Sequence, residues 1–345
     1  MSKVLITGSD GFIGSHLTEA LVHKGFDVRA FVLYNSFNSW GWLDYTDSEI
    51  KKQIEVFAGD VRDPHGVKTA MEGCDIVFHL AALIAIPYSY HSPETYIDTN
   101  VKGTLNVVQA AKELEVSKVI HTSTSEVYGK STELPFREDG DLILGPSTKG
   151  RWSYAASKLI DEFLALSYSR EKKLPTIVVR LFNTVGPRQT GQYGMVVPRF
   201  VKQALEGGPI TVYGDGEQSR CFGYVGDVVG GLVALTREPN AYGKVFNIGN
   251  DKEISITGLA EMIRRKVNPE IKIDYIPYDQ AYEAGFEDMR RRIPDLTRIK
   301  ELIEEHSPQP KTIKVEHFDG SKIEVGAHHK DFHILLLLAY QRIPV

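Results

Sequence analysis

Of the 345 residues only two are cysteine, Cys74 and Cys221, and they lie far apart. That is too few for a disulfide framework, and the spacing is not that of a metal site, so a reduced, cytoplasmic protein is expected. Long apolar runs are also missing. The longest late one, HILLLLAY at 333–340, is far short of the roughly 20 residues that a membrane span requires, and the start MSKVLITG lacks the charged-then-apolar plan of a signal peptide. Basic excess is absent too: a net charge of −5 leaves no electrostatic footprint for nucleic acid or an anionic membrane. Internal repeats and low-complexity linkers are not found. What remains is a chain of average globular composition, expected to be soluble and to act on something small.

Apolar runs alternate with helical periodicity through the first half. KVLITG, DVRAFVLY, IEVFAG, DIVFHLAA, KVIHTST and TIVVRLFN read as strands buried on both faces, and segments such as YAASKLIDEFLALSYSREKK repeat their apolar residues every three or four positions. The alternation predicts an α/β fold of Rossmann type, a doubly wound parallel sheet with helices on both faces. After Asn183 the pattern shortens and becomes rich in Gly, Pro and Tyr. The run KVFNIGN at 244–250 is expected to return to the main sheet. The resulting division is a dinucleotide-binding domain over 1–183 with 223–250 rejoining it, a smaller interleaved α/β substrate lobe from 184–222 and 251–303, and an atypical tail over 304–345.

GSDGFIG at 8–14 stands between the first strand and the first helix. Gly8, Gly11 and Gly14 allow a tight turn and a close approach of backbone to a pyrophosphate, whose charge is favoured by the free amides and dipole of a helix start. Further on, YAASK puts Tyr154 and Lys158 on one helix face. A nearby ammonium favours the phenolate, which would make Tyr154 a base near neutral pH.

These motifs, with GD at 59–60 and HLAA at 79–82, resemble the extended short-chain dehydrogenase/reductases, the NAD-dependent epimerase/dehydratase family. The resemblance implies a dinucleotide held by Gly8, Gly11, Phe12, Ile13 and Gly14, by Asn35 and Ser36 after strand two, by Asp60 and Val61, and by Leu80, Ala81 and Ala82. Strand two ends in FVLYNSFNS, with neither an acid for the ribose hydroxyls nor an arginine for a 2′-phosphate. NAD is the expected cofactor and NADP stays open. Tyr154 would take a proton from a sugar hydroxyl, Lys158 would hold the nicotinamide ribose and Thr124 would bind the same sugar oxygen.

Thr124-Ser125-Glu126 resembles the TSE form found in nucleotide-sugar 4,6-dehydratases. There Glu126 would remove the C5 proton and Ser125 would help the C6 hydroxyl leave. Decarboxylases of the family carry the same Ser-Glu-Val-Tyr-Gly. For the nucleotide end the resemblance implies Asn183 on a phosphate, Arg220 on the diphosphate, Val212 and Tyr213 near the base, Val197 among the substrate-binding residues, and Arg291 of the triplet Arg290–Arg292 on a phosphate. Cys221 stands where the family usually has Asp. The stretch VRAFVLYNSFNSWGWLD at 28–44 together with EDMRRRIPD at 287–295 resembles the UDP-N-acetylglucosamine 4,6-dehydratases of legionaminic-acid-type pathways. Trp40 and Trp42 read mainly as packed structural aromatics.

The resemblance covers about residues 1–303. It implies a UDP-sugar 4,6-dehydratase. A 4-epimerase, a dehydratase giving a 5,6-ene or C5-inverted product, and a dinucleotide-binding sensor without turnover are the alternatives. A homodimer through the long helices around 94–115 and 153–172 is expected from family habit. In the tail, TIKVEHFDGSKIEVGAH alternates like a hairpin around Asp319-Gly320, and His328, His329 and His333 are not expected to hold a metal.

Overall fold

A computed structural model describes residues 2–191, 195–281, 287–304, 312–316 and 322–326. Six strands fall where the apolar runs predict them: β1 (Lys3–Thr7), β2 (Asp27–Leu33), β3 (Ile54–Gly59), β4 (Ile76–His79), β5 (Lys118–Thr124) and β6 (Thr176–Leu181). A seventh, Val245–Ile248, pairs parallel with β6, and the order across the sheet is Val245–Ile248, β6, β5, β4, β1, β2, β3. Every pair in this sheet is parallel. The chain therefore reverses its winding between β1 and β4, and a crevice opens at the carboxyl ends of those strands.

The two faces of the sheet are covered by separate apolar clusters. One packs Val4, Ile6 and Phe78 against Leu17 and Leu21 of the helix Phe12–His23 and Val228 and Leu232 of the helix Val225–Ala234. The other packs Leu5, Val77 and Val119 against Val67 and Met71 of the helix Pro64–Met71 and Val107 and Val108 of the helix Gly103–Glu113. A third cluster belongs to the smaller lobe, where the helices Val196–Leu205 and Ile256–Val267 close on the strand Ile210–Tyr213. That strand pairs with Ile273–Ile276.

The helix that carries Tyr154 runs from Ser153 to Lys172. Arg170 and Lys172 in its last turn complement the carboxyl end of the helix dipole. It stops at Lys173, whose φ of 56° is left-handed, and Pro175 prevents it from resuming. On the far side from the sheet, Leu105, Ile160 and Phe163 stand exposed on this helix and on Gly103–Glu113.

Trp40 packs with Ala30, Val32 and Leu43, so one of the two tryptophans after β2 is structural. The tail forms an antiparallel pair, Thr312–Glu316 with Lys322–Gly326, in the predicted hairpin register. The turn residues Asp319 and Gly320 and the three tail histidines lie outside the described residues. Among the described residues no helix is long and apolar enough to cross a membrane, and no group of His, Cys, Asp and Glu could hold a metal ion.

Candidate active site

The crevice deepens into a cavity of about 1620 Å³ that runs from the glycine loop to the smaller lobe. At its first end, Gly11 begins the helix Phe12–His23 with no side chain capping it, which leaves the first amides free. Two close approaches require glycine here. A Cβ on Gly14 would lie 2.0 Å from the carbonyl of Gly8, and one on Gly8, whose φ is +73°, would lie 2.9 Å from the amide of Ala81. A cradle built so tightly around free amides fits a dinucleotide pyrophosphate. Phe12, Ile13, Asp60, Val61, Leu80, Ala81 and Ala82 line the same end.

The site corrects the expectation at the tip of β2. Asn35 turns into its own loop, accepting from the amides of Phe37 and Ser39 and donating to the carbonyl of Ser39, and neither Asn35 nor Ser36 lines the cavity. The insert after β2 makes a tight turn, and Asn35 is spent on its closure. Asp60 reaches the cavity but is forked by the guanidinium of Arg62.

In the middle of the cavity β5 delivers Thr124, Ser125 and Glu126. Thr124 ends the strand, and its hydroxyl accepts from the amide of Glu126, which starts a short 3₁₀ turn over Ser125–Tyr128. Gly129 closes the turn at φ +58°, where a Cβ would meet the carbonyl of Ile143 at 2.3 Å. Tyr154 faces the same space and is hydrogen-bonded to Thr124.

The predicted partnership of Lys158 with the phenol differs. Lys158 Nζ lies 2.8 Å from Asp161 Oδ2, one helical turn on, and 3.5 Å from His121 Nε2, all three buried. Burial pushes the Tyr154 phenol above its ordinary value, and the hydrogen bond from Thr124 offsets only part of this. With the ammonium committed to Asp161, the free protein holds Tyr154 protonated, contrary to the expected phenolate.

Glu126 is 7% exposed and sits between two guanidiniums. Arg292 Nη2 donates to Oε1 at 2.6 Å. Arg151 Nη2 lies 2.8 Å from Oε2 as an ion pair, at an angle that leaves that oxygen without a directed hydrogen bond. Burial alone would raise this carboxyl, but Arg292 and Arg151 outweigh it and hold it at about 2. Arg151 Nη1 and Arg292 Nε are themselves buried without hydrogen-bond partners. They point to an oxygen-rich group brought by a ligand.

At the far end Asn183, Val197, Tyr213 and Arg220 line the cavity, and the side-chain oxygen of Asn183 is buried without a partner. Two expectations fail there. Val212 is fully buried in the core of the lobe, because successive residues of a strand face opposite ways and Tyr213 takes the cavity side. Arg291 is exposed and paired with Glu253, whereas Arg292 turns inward to Glu126. Arg220 keeps its place, but its donors already engage Asp288 and the carbonyls of Ser219 and Met289.

Sequence reasoning missed many cavity residues, among them Arg151, Arg199 and Asp10. Arg151 lies three residues before Tyr154 and enters from the turn that starts its helix. Arg199 covers the ring of Tyr213 at 3.7 Å. Asp10 lies inside the glycine loop itself. Of these three only Arg151 carried a local signal, its spacing from the tyrosine.

A nucleotide cradle, a hydroxyl-bonded tyrosine with a lysine on the same helix, and a buried carboxylate define an NAD-dependent enzyme of the short-chain dehydrogenase/reductase type. The chain belongs to the family whose model is described as GDP-mannose 4,6 dehydratase, which matches residues 5–306, among NAD-dependent enzymes that modify nucleotide sugars. It is 40% identical over 305 residues to a UDP-N-acetyl-alpha-D-glucosaminuronate decarboxylase of Bacillus cytotoxicus, covering 88% of this chain and 92% of that one. Among solved structures it resembles UDP-glucuronic acid 4-epimerase from Bacillus cereus in complex with UDP-glucuronic acid and NAD, with a TM-score of 0.76, 27% identity and coverage of 92% and 96%. An NAD-dependent NDP-hexosamine 5,6-dehydratase of tunicamycin biosynthesis matches with a TM-score of 0.74 and 28% identity over 89% of this chain and 93% of that one.

Proposed function

We propose that the chain dehydrates a UDP-N-acetylhexosamine, with UDP-N-acetylglucosamine as donor, to its 4-keto-6-deoxy derivative. The observation that carries this reading is Glu126, an ionised carboxylate in the wall shared with Tyr154, with Oε2 free of any directed hydrogen bond. Plain epimerisation at C4 has no use for it. NAD, held by the glycine loop at Gly8, Gly11 and Gly14, would supply the hydride acceptor for sugar C4 and the hydride donor for C6.

Tyr154 must first give up its own proton to solvent as the ligands bind; the phenolate Oη, with Thr124 Oγ1 beside it, then accepts the proton of the C4 hydroxyl. The C4 ketone acidifies the C5 hydrogen, and Glu126 Oε2 removes it. The C6 hydroxyl then departs as water, taking a proton from Glu126 with Ser125 at its side. A solvent proton finally enters at C5. The two arginines keep Glu126 ionised throughout the neutral range, and their unpartnered donors, Arg151 Nη1 and Arg292 Nε, stabilise the charge on the departing oxygen.

The same arginines favour a second reading, decarboxylation of a UDP-uronic acid. Two buried guanidiniums on one resident carboxylate leave a net positive wall, which suits a C6 carboxylate. Oxidation at C4 would make that acid a β-keto acid. The C5–C6 bond then breaks with loss of carbon dioxide, C5 takes a proton and the hydride returns to C4. The 40% identical relative is named for such a reaction.

Incubation with UDP-N-acetylglucosamine and, separately, with its C6 carboxylate in deuterated water distinguishes the two by mass spectrometry and proton NMR. Loss of water from the first with deuterium at C5 is expected. Loss of carbon dioxide from the second alone would replace dehydration by decarboxylation. The exposed Leu105, Ile160 and Phe163 support a homodimer through their two helices, and the family's substrates suit the cytoplasm.

A further inference from the structure

We propose that Asp10 selects NAD over NADP: its carboxylate accepts the hydroxyl protons of the adenosine ribose and repels a 2′-phosphate. The usual place for that acid is the end of β2, and here β2 ends at Leu33 and is followed by Tyr34-Asn35, with no acid. The glycine loop supplies the charge instead. The amides of Gly8 and Ser9 bond the carbonyl of Phe31, which lays the loop along β2. Asp10, the next residue of that loop, is thereby set beside the carboxyl end of the strand, where its carboxylate faces the amide of Leu33 and lines the cavity.

Asp10 lines the cavity, and among the described residues no cation pairs with it. Burial raises its pKa above the ordinary carboxylate value, with only backbone groups opposing the shift. A largely buried carboxylate with no cation and an open side towards a nucleotide site is fitted to accept hydroxyl donors. Arg62, which lines the cavity beside Asp60, is forked onto that carboxylate and is not free for a 2′-phosphate.

The insert after β2 gains a purpose from this arrangement. The amide of Trp42 bonds the carbonyl of Asp10 at 3.0 Å. Gly41, at φ +58°, comes so close that a Cβ there would lie 2.5 Å from the same carbonyl. The insert clamps the Asp10 backbone from outside the cavity and fixes where the carboxylate points.

The test is equilibrium binding of NAD⁺, NADP⁺ and 2′-deoxy-NAD⁺ to the full chain, followed by calorimetry, with no turnover needed. Wild type is expected to bind NAD⁺ at least about tenfold more tightly than either analogue, as loss of a charge-assisted hydrogen bond implies. Asp10→Asn should collapse the preference over NADP⁺, and Asp10→Ser should do the same, with unchanged thermal unfolding. Equal binding of all three by wild type, or an unaltered preference in folded variants, overturns the assignment. Should both variants fail to fold, the wild-type loss on 2′-deoxy-NAD⁺ still decides: a loss supports the assignment and its absence refutes it. None of these outcomes depends on which sugar reaction the site performs.

Discussion

Glu126→Gln exchanges a buried carboxylate for an amide of the same shape and leaves Arg151 and Arg292 facing each other across it. Lowering the carboxyl from 4.5 to about 2 corresponds to about 3 kcal/mol of stability at neutral pH, taking about 1.4 kcal/mol for each tenfold change in proton affinity. The figure agrees with the roughly 3–5 kcal/mol lost when one partner of a buried ion pair is removed. Domains carry roughly 5–15 kcal/mol in all, so the variant is expected to fold and to be visibly weakened. Because the folded value lies below the unfolded one, the contribution is complete above about pH 4.5 and is lost as pH falls towards 2. Urea unfolding of wild type and variant, repeated from pH 7 downwards, measures this directly. The gap should be about 3 kcal/mol at pH 7 and shrink by about half by pH 3. Removing the second charge as well, in Glu126→Gln with Arg292→Met, should recover part of the loss, since the cost is an orphaned cation and not a cavity. A gap below about 0.5 kcal/mol at pH 7, the range of ordinary surface substitutions, would refute the clamp as described, and so would a gap that persists undiminished at pH 3.

Tyr154→Phe keeps the ring and removes the proton acceptor, so turnover should fall by about 10²–10⁴-fold while bound dinucleotide, read by absorbance after denaturation, stays at the wild-type level. Phe163→Glu, at a residue 62% exposed on the outer helix face, should convert a dimer to a monomer in sedimentation velocity without changing the thermal transition of the monomer fold. A wild-type chain that sediments as a monomer would end that proposal.

How far the sequence could be read depended on the reach of each interaction. The six strands were legible because a strand buried on both faces must be apolar throughout, as KVLIT and TIVVRL are. The glycine loop was legible for a related reason, since its residues lie within one turn, and YAASK placed Tyr154 and Lys158 on one helix without foreseeing that Asp161 takes the ammonium. Val212 and Tyr213 marked the limit of such reasoning. Strand alternation guarantees that only one of the two faces the cavity, and which one depends on the packing of the helices Val196–Leu205 and Ile256–Val267 against the other. Asn35 failed through local chemistry that could have been weighed, since an Asn at the start of a tight turn readily satisfies its own backbone.

The arginine triplet shows why the charge state of the site was beyond reach. Arg290, Arg291 and Arg292 are equivalent in type and adjacent in sequence, yet they pair with Asp215, Glu253 and Glu126 respectively. The first two partners are surface carboxylates that add little. The third is the site carboxylate, 166 residues away. Spacing within the triplet cannot distinguish them, because the partners lie on other parts of the chain that only the fold brings alongside. The consequence reaches the chemistry. A lone Glu126 in an apolar wall would have its carboxyl raised by burial and serve as an acid; with Arg292 and Arg151 beside it, the same burial strengthens the pairing and the group is held as an anion. Motif reading located the carboxylate, but whether it gives or takes a proton first is decided by two guanidiniums brought in from other parts of the chain.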